Sequence, residues 1–369
     1  YMLIREAAAR LLMSSPIVDV LRATYARVIV DEYQDCSVRQ HAVVTCLAEA
    51  LPTCVLGDPM QAIFDFGNDP LVDWKEVCGV FPVVGELTVP HRWIKQGNES
   101  LGEWLIDVRR KLLHDEPIDI RQAPKSVTWV RTGGPDHYVK LLRAARVRPS
   151  TETGSVFVIA DSANSEGRRQ LASRLNDAVF VEPVELRDLV SFAREFNIHS
   201  TDAVQRLILF AQKVMTNIRA SDLIRRVNGL VQGRAHKVPS PTEQLALDFL
   251  KSPSYHVAAK FLRHLASEPG RRTYRPVLFH ACIEALELCD QVAGLTLYEA
   301  ALRVRERYRI LGRKLARRAV GSTLLLKGLE CDTAVVLNAS ELDARNLYVA
   351  VTRAARSLIV CSPTPILNS

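Results

Sequence analysis

Six short β-branched runs constrain this chain more than any other feature: RVIVD at 27–31, TCVLG at 53–57, SVTWV at 126–130, SVFVIA at 155–160, TAVVLN at 333–338 and SLIVCS at 357–362. Each has the length of a buried strand. Helical patterns separate several of them, which is the rhythm of α/β units around a parallel sheet. The middle of the chain breaks that rhythm. From about 186 to 318 nearly everything has helical period, with Val204, Leu207, Ile208, Ala211, Met215 and Ile218 on one expected face. Pro239 and Pro241 interrupt this block once, and Pro269-Gly270 interrupts it again. Because strands are expected to resume only after Gly321, the block reads as a helical insertion in an α/β domain.

A length of 369 residues allows two or three domains, each able to bury a core. No apolar run approaches the roughly 20 residues of a bilayer span. The first residues, YMLIREAAARLL, have the pattern of an amphipathic helix and lack the three parts of a signal peptide. A cytoplasmic location is the resulting expectation. Eight cysteines stand singly at 36, 46, 54, 78, 282, 289, 331 and 361, with no C-x-x-C pair that would point to zinc. Several fall in apolar runs and are expected to act as small buried hydrophobes. The net charge of +7 favours polyanionic partners without naming one.

The densest chemistry lies in RVIVDEYQD at 27–35. A strand delivers Asp31 and Glu32 at its C-terminal end, where open α/β sheets place ligands. In nucleotide hydrolysis such a pair divides the work: Asp31 holds Mg²⁺, directly or through water, and Glu32 orients and deprotonates the attacking water. Two adjacent acids alone would equally suit an acidic turn, but Gln34 and Asp35 stand in register beside them. In VLGDPMQAIFDF at 55–66 a second strand ends on glycine and a carboxylate. There Gln61 could bond a terminal phosphate or its attacking water. Phe64 and Phe66 could stack unpaired bases, at about 1–3 kcal/mol each, or simply join a core.

DEYQD and GDPMQAIFDF resemble motifs II and III of the UvrD/Rep family of superfamily 1 helicases. LTVPHRW at 87–93 is similar to that family's motif IV, GSTLLLKGLECD at 321–332 to motif V, and NLYVAVTRAARSL at 346–358 to motif VI. The order and spacing agree across nearly the whole chain, although the helical middle carries no motif. The resemblance implies RecA-like parallel-sheet lobes of the P-loop NTPase type, with ATP and Mg²⁺ between them and single-stranded or tailed duplex DNA as partner. Residues 1–85 would be the remaining portion of the first lobe, 86–185 with 319–369 the second, and 186–318 a helical insertion at the family's 2B position. It further implies that Asp31 and Glu32 serve Mg²⁺ and water, that Gln61 senses the γ-phosphate, and that Arg92 and Arg353 reach the phosphates. Glu330 would accept a bond from the ribose, Phe64 and Phe66 would stack bases, and Tyr348 would pack beside motif VI. Movement would run 3′ to 5′. Protein partners in repair or phage defence fit the same family, and no membrane is implied.

Three departures stand out. Motif III lacks the arginine that usually follows its last aromatic, since Phe66 runs into Gly67. Leu324 stands where motif V commonly has a histidine. No Gly-Lys dipeptide occurs anywhere, so the G-x-x-x-x-G-K-[ST] phosphate cradle is missing. The chain alone is therefore expected to lack ATPase activity, through truncation or as a non-catalytic helicase-like DNA-binding subunit completed by a partner protein. A basic run at 303–318, RVRERYRILGRKLARR, makes Arg313, Lys314 and Arg317 secondary candidates for phosphate contact, or else a solvated helix face.

Overall fold

The computed structural model describes residues 2–64, 69–149, 151–235, 237–311 and 316–367. Its strands are β1 (Val28–Val30), β2 (Thr53–Val55), β3 (Ile118–Asp119), β4 (Val127–Arg131), β5 (Val156–Ile159), β6 (Ala178–Phe180), β7 (Arg318–Gly321), β8 (Cys331–Val336), β9 (Ala354–Ser362) and β10 (Ile366–Leu367). All six expected runs are strands. The chain divides into two compact units, residues 1–144 with 326–369 and residues 145–325. No described helix is long and apolar enough to cross a membrane.

In the first unit β1 and β2 pair in parallel, with Ile29 opposite Cys54. Strand β9 pairs in parallel with β4 on one side and β8 on the other, while β3 and β10 form a small antiparallel pair. Near-complete burial of β8 explains its continuous apolar sequence, since parallel strands are covered on both faces. The helix Glu99–Leu113 buries Leu101, Leu105, Val108 and Leu112, one stripe at helical spacing. Between β1 and β2 the chain makes a tight passage. Ser37 starts the helix Val38–Ala50 through a capping box with Gln40, which satisfies two backbone donors at the turn. The side chain of Tyr33 is fully buried and packs with Val44, Val72 and Val77. This packing anchors the loop that carries the acidic pair.

In the second unit β7 pairs in parallel with β5 and with β6. The helical block lies in the same unit, running from Arg187–Glu195 through Ala203–Val214, Ala220–Val231, Pro241–Lys251, Tyr255–Ser267 and Pro276–Gln291 to Leu297–Leu311. Its core includes Leu207, Phe249, Phe261, Leu278, Leu286 and Val304. Pro239 and Pro269-Gly270 fall between helices, and Pro241 opens the helix Pro241–Lys251.

Two expectations change. The face running through Met215 and Ile218 is not one helix, because the helix ends at Val214 and Asn217 and Arg219 take left-handed backbone angles. Both residues are nonetheless buried, so the apolar spacing reflected burial rather than helix. Strands also resume at Arg318 rather than after Gly321. Arg318 leaves the basic run altogether: it is buried, pairs with Asp177 at 2.8 Å and donates to the carbonyls of Ala145 and Val147.

Arginines tie the helical block to the strands of its own unit. Arg272 donates to the carbonyls of Ala172, Ser173, Leu175 and Ala178, at the C-terminal end of the helix Ser165–Arg174 and the start of β6. Arg275, 1% exposed, pairs with Glu182 at 2.5 Å and with Asp188 at 2.6 Å. Removing one partner of such a buried network leaves an uncompensated charge. Arg275→Ala is expected to lower unfolding stability by about 3–5 kcal/mol. Urea melts monitored by far-UV circular dichroism check this, and an unchanged midpoint would show that the pair is not structural.

Candidate functional site

Every expected site residue that the structure describes, apart from Arg317, falls in the first unit. Asp31 and Glu32 lie exposed just past the C-terminal end of β1. Glu32 has φ 54°, a left-handed conformation unusual for a residue with a side chain, which marks a backbone held in place by its surroundings. Asp31 Oδ1 accepts the Glu32 backbone N–H at 2.8 Å. Gln34 then connects the two motifs: its Nε2 donates to Glu32 Oε2 at 2.6 Å, and its Oε1 accepts the Asp58 backbone N–H at 2.9 Å. Gly57 permits that approach. A Cβ there would lie 2.9 Å from Gln34 Oε1 and 2.8 Å from the Trp74 ring.

Asp58 caps the single turn Pro59–Gln61 and accepts from Gln61 Nε2 at 3.3 Å. Arg109 pairs with the same carboxylate at 3.0 Å and lies over the Tyr348 ring. Burial first, then the Asp58 charge, pushes the Tyr348 hydroxyl well above the usual phenol range. Tyr348 therefore packs as a neutral group within motif VI.

Lys327, in motif V, was not singled out from sequence. Its side chain is 4% exposed. The ammonium donates at 2.5 Å to both oxygens of Asp35 and to the carbonyl of Gln61, lies 3.9 Å from Glu32 Oε2, and sits 5.0 Å from the Phe64 ring centroid. One buried cation thus touches Asp35 of motif II and both Gln61 and Phe64 of motif III. Its signal was a lone lysine after three leucines, since a charge in an apolar run needs a buried partner.

The arginines differ from each other. Arg92 pairs with Glu330 at 2.7 Å, donates to the Thr352 carbonyl at 2.7 Å and lies over Trp93. Arg353 is 3% exposed and donates to the carbonyls of Val349 and Leu329 and to Thr352 Oγ1. Among the described residues no carboxylate is within ion-pair distance of it. Burial, and then the Arg92 charge, draws its pKa down to about 10, while Glu32, Cys331 and Glu330 act in the opposite sense. It stays charged at neutral pH, a desolvated cation held by carbonyls and a hydroxyl. Phe66, Arg313 and Lys314 lie outside the described residues. Arg317 is exposed in the second unit and donates to the Glu152 carbonyl at 3.0 Å. The cysteines behave as expected in part: Cys282, Cys289, Cys331 and Cys361 are buried, whereas Cys54 is exposed.

Asp31 and Glu32 fit a magnesium ion, which takes one or two protein carboxylates together with substrate phosphates and water. Among the described residues no group of three or more His, Cys, Asp or Glu could hold a metal by itself. Parallel strands among many helices are compatible with RecA-like α/β lobes. Residues 2–69 match the UvrD/REP helicase N-terminal domain, a likeness to UvrD-like superfamily 1 helicases. No curated protein matches the chain.

Replacing Lys327 by Met tests the buried contact. Asp35 already has its carboxyl raised above the usual value by burial, with Lys327 pulling it back down. Without the ammonium the folded-state pKa rises further. A carboxyl raised in this way destabilises the fold above its folded pKa and is relieved below it. The stability gap between wild type and Lys327→Met should therefore widen as pH increases from about 5 to 8 in urea titrations. A gap independent of pH would mean that Asp35 and Lys327 are not coupled.

Proposed function

We propose that the parent enzyme is an ATP-dependent translocase or helicase that moves on single-stranded DNA, 3′ to 5′, with ATP hydrolysed between two RecA-like lobes. Residues 1–85 belong to the first lobe, 86–185 with 319–369 to the second, and 186–318 to the helical insertion. The reading rests above all on Arg353. A buried guanidinium that faces neighbouring charge with only carbonyls and a hydroxyl as partners is suited to an arriving anion, and a terminal phosphate supplies three oxygens.

The remaining roles follow from the chain's own groups. Glu32, held by Gln34, accepts the proton of the attacking water. Gln61, whose carbonyl is fixed by Lys327, orients that water or the γ-phosphate. Arg92 leaves Glu330 to bind phosphate, which releases Glu330 to accept a bond from the ribose hydroxyl. Asp31 would hold Mg²⁺, which when bound neutralises charge on the phosphate oxygens. Phe64 and Phe66 stack unpaired bases, and Arg313, Lys314 and Arg317 add sequence-independent phosphate contacts. Cytoplasmic work on repair or phage-defence DNA is consistent with this chemistry.

The alternative reading is a non-catalytic helicase-like DNA-binding subunit completed by a partner protein. One experiment separates them. In the whole gene product, ATP hydrolysis should be stimulated by single-stranded DNA. Glu32→Gln should abolish turnover and spare nucleotide binding, and Arg353→Ala should slow turnover by about 10³–10⁵-fold. Wild-type turnover in the Glu32→Gln variant would refute the catalytic roles, whereas no DNA-stimulated hydrolysis by the whole gene product would favour the subunit.

A further inference from the structure

The Asp58 carboxylate, beside the turn that carries Gln61, gathers donors from several parts of the chain. One oxygen accepts the Met60 backbone N–H at 3.0 Å and pairs with Arg109 Nη2 at 3.0 Å, and the other accepts the Gln61 side-chain amide at 3.3 Å. A further donor is the Tyr348 hydroxyl, from the helix Ala344–Val351. Arg109, on the helix Glu99–Leu113, clips two of these groups together. While one nitrogen holds Asp58, the guanidinium carbon lies 5.8 Å from the Tyr348 ring centroid. Its Nη1 is buried without a hydrogen-bond partner. An unpaired buried donor disfavours the arrangement, so Asp58 and the ring keep Arg109 there rather than a full set of bonds.

Tyr348 is joined to Arg353 as well. Arg353 Nη2 donates to Thr352 Oγ1 at 3.0 Å, and that hydroxyl donates to the Tyr348 carbonyl at 2.8 Å. A line of contacts therefore runs from Arg353 through Tyr348 and Asp58 to the Gln61 amide. The Gln61 main-chain carbonyl is already fixed by Lys327, and the Asp58 main-chain N–H by Gln34, so what Asp58 still sets is the direction of the Gln61 side chain.

We propose that Arg109 is a positioning residue for Gln61: by holding Asp58 against Tyr348 it aims the Gln61 amide and ties that aim to the position of Arg353. This rests on the ATP-hydrolysis reading above, in which Gln61 and Arg353 both meet the γ-phosphate while Arg109 touches neither substrate nor water. A phosphate that draws Arg353 off Thr352 alters the hold on Tyr348, so the two groups respond together.

Steady-state ATP hydrolysis by the whole gene product at saturating single-stranded DNA tests this. Misaiming a group at the reacting centre lowers turnover more than binding, so Arg109→Gln should reduce kcat roughly 10- to 100-fold with KM nearly unchanged. Arg109→Lys, which keeps a charge for Asp58, should recover much of that loss. Tyr348→Phe, which removes the hydroxyl and keeps the ring, should show a smaller loss of the same kind. Residues acting in one network are not additive, so Arg109→Gln should cost little further in a Gln61→Ala background. Losses that multiply would show that Arg109 acts independently of Gln61 and overturn the proposal, as would an unchanged kcat or an effect confined to KM. Thermal melting checks folding. If Arg109→Gln is unfolded, the same cycle is run with Arg109→Lys and Tyr348→Phe against Gln61→Ala, and multiplying losses there overturn the proposal equally. If the wild-type product shows no DNA-stimulated hydrolysis, the ATPase reading falls and the positioning role with it.

Discussion

The ammonium of Lys327 is the contact on which the first unit's chemistry depends. It is a charge buried to within 4% of full coverage, and a buried ammonium persists only where its donors are matched. The match comes from Asp35 and the Gln61 carbonyl, residues that enter from two different strand ends. The cost of leaving either group unpaired holds motifs II, III and V in one arrangement. Glu32 and Phe64 inherit their positions from it, because both lie within reach of the same cation.

Around that contact the acidic and basic groups follow a division of labour. Carboxylates that carry structure are internally satisfied: Asp58 by Arg109, Gln61 and its own turn, and Asp35 by Lys327. Those assigned to chemistry, Asp31 and Glu32, are exposed at a strand end. Arg92 is paired with Glu330, a contact that an incoming polyphosphate can exchange, whereas Arg353 is held by neutral groups alone. Desolvation makes such a cation a stronger attractor than the same group in water.

The second unit has a different electrostatic character. Residues 145–325 carry 28 Lys and Arg against 18 Asp and Glu, while the rest of the chain carries 20 against 23. The positive net charge therefore resides in the unit that contains the helical block. Part of it is structural, since Arg272, Arg275 and Arg318 are committed to helix ends and buried acids, and is not available to a partner. Composition alone cannot make that distinction, because an arginine in a core and one on a surface count equally.

The α/β class, the six strands and the acidic strand end were legible in the sequence, because strands buried on both faces must be continuous apolar runs and their ends are marked by glycine or acid. The helical block was legible for the same kind of reason, a period that burial imposes on one face. Sequence spacing failed at Met215 and Ile218, where buried residues keep an apolar pattern after the helix has stopped. It also hid β6 and β7, whose runs are too short to stand out and whose identity depends on pairing with each other. Which polar groups meet was decided only by tertiary structure. Gln34 bridging Glu32 and Asp58, Arg92 paired with Glu330, and Lys327 paired with Asp35 join residues up to 292 positions apart. A linear pattern records how often a residue type recurs, not which distant partner satisfies its charge, and for a buried charge the partner determines what it does.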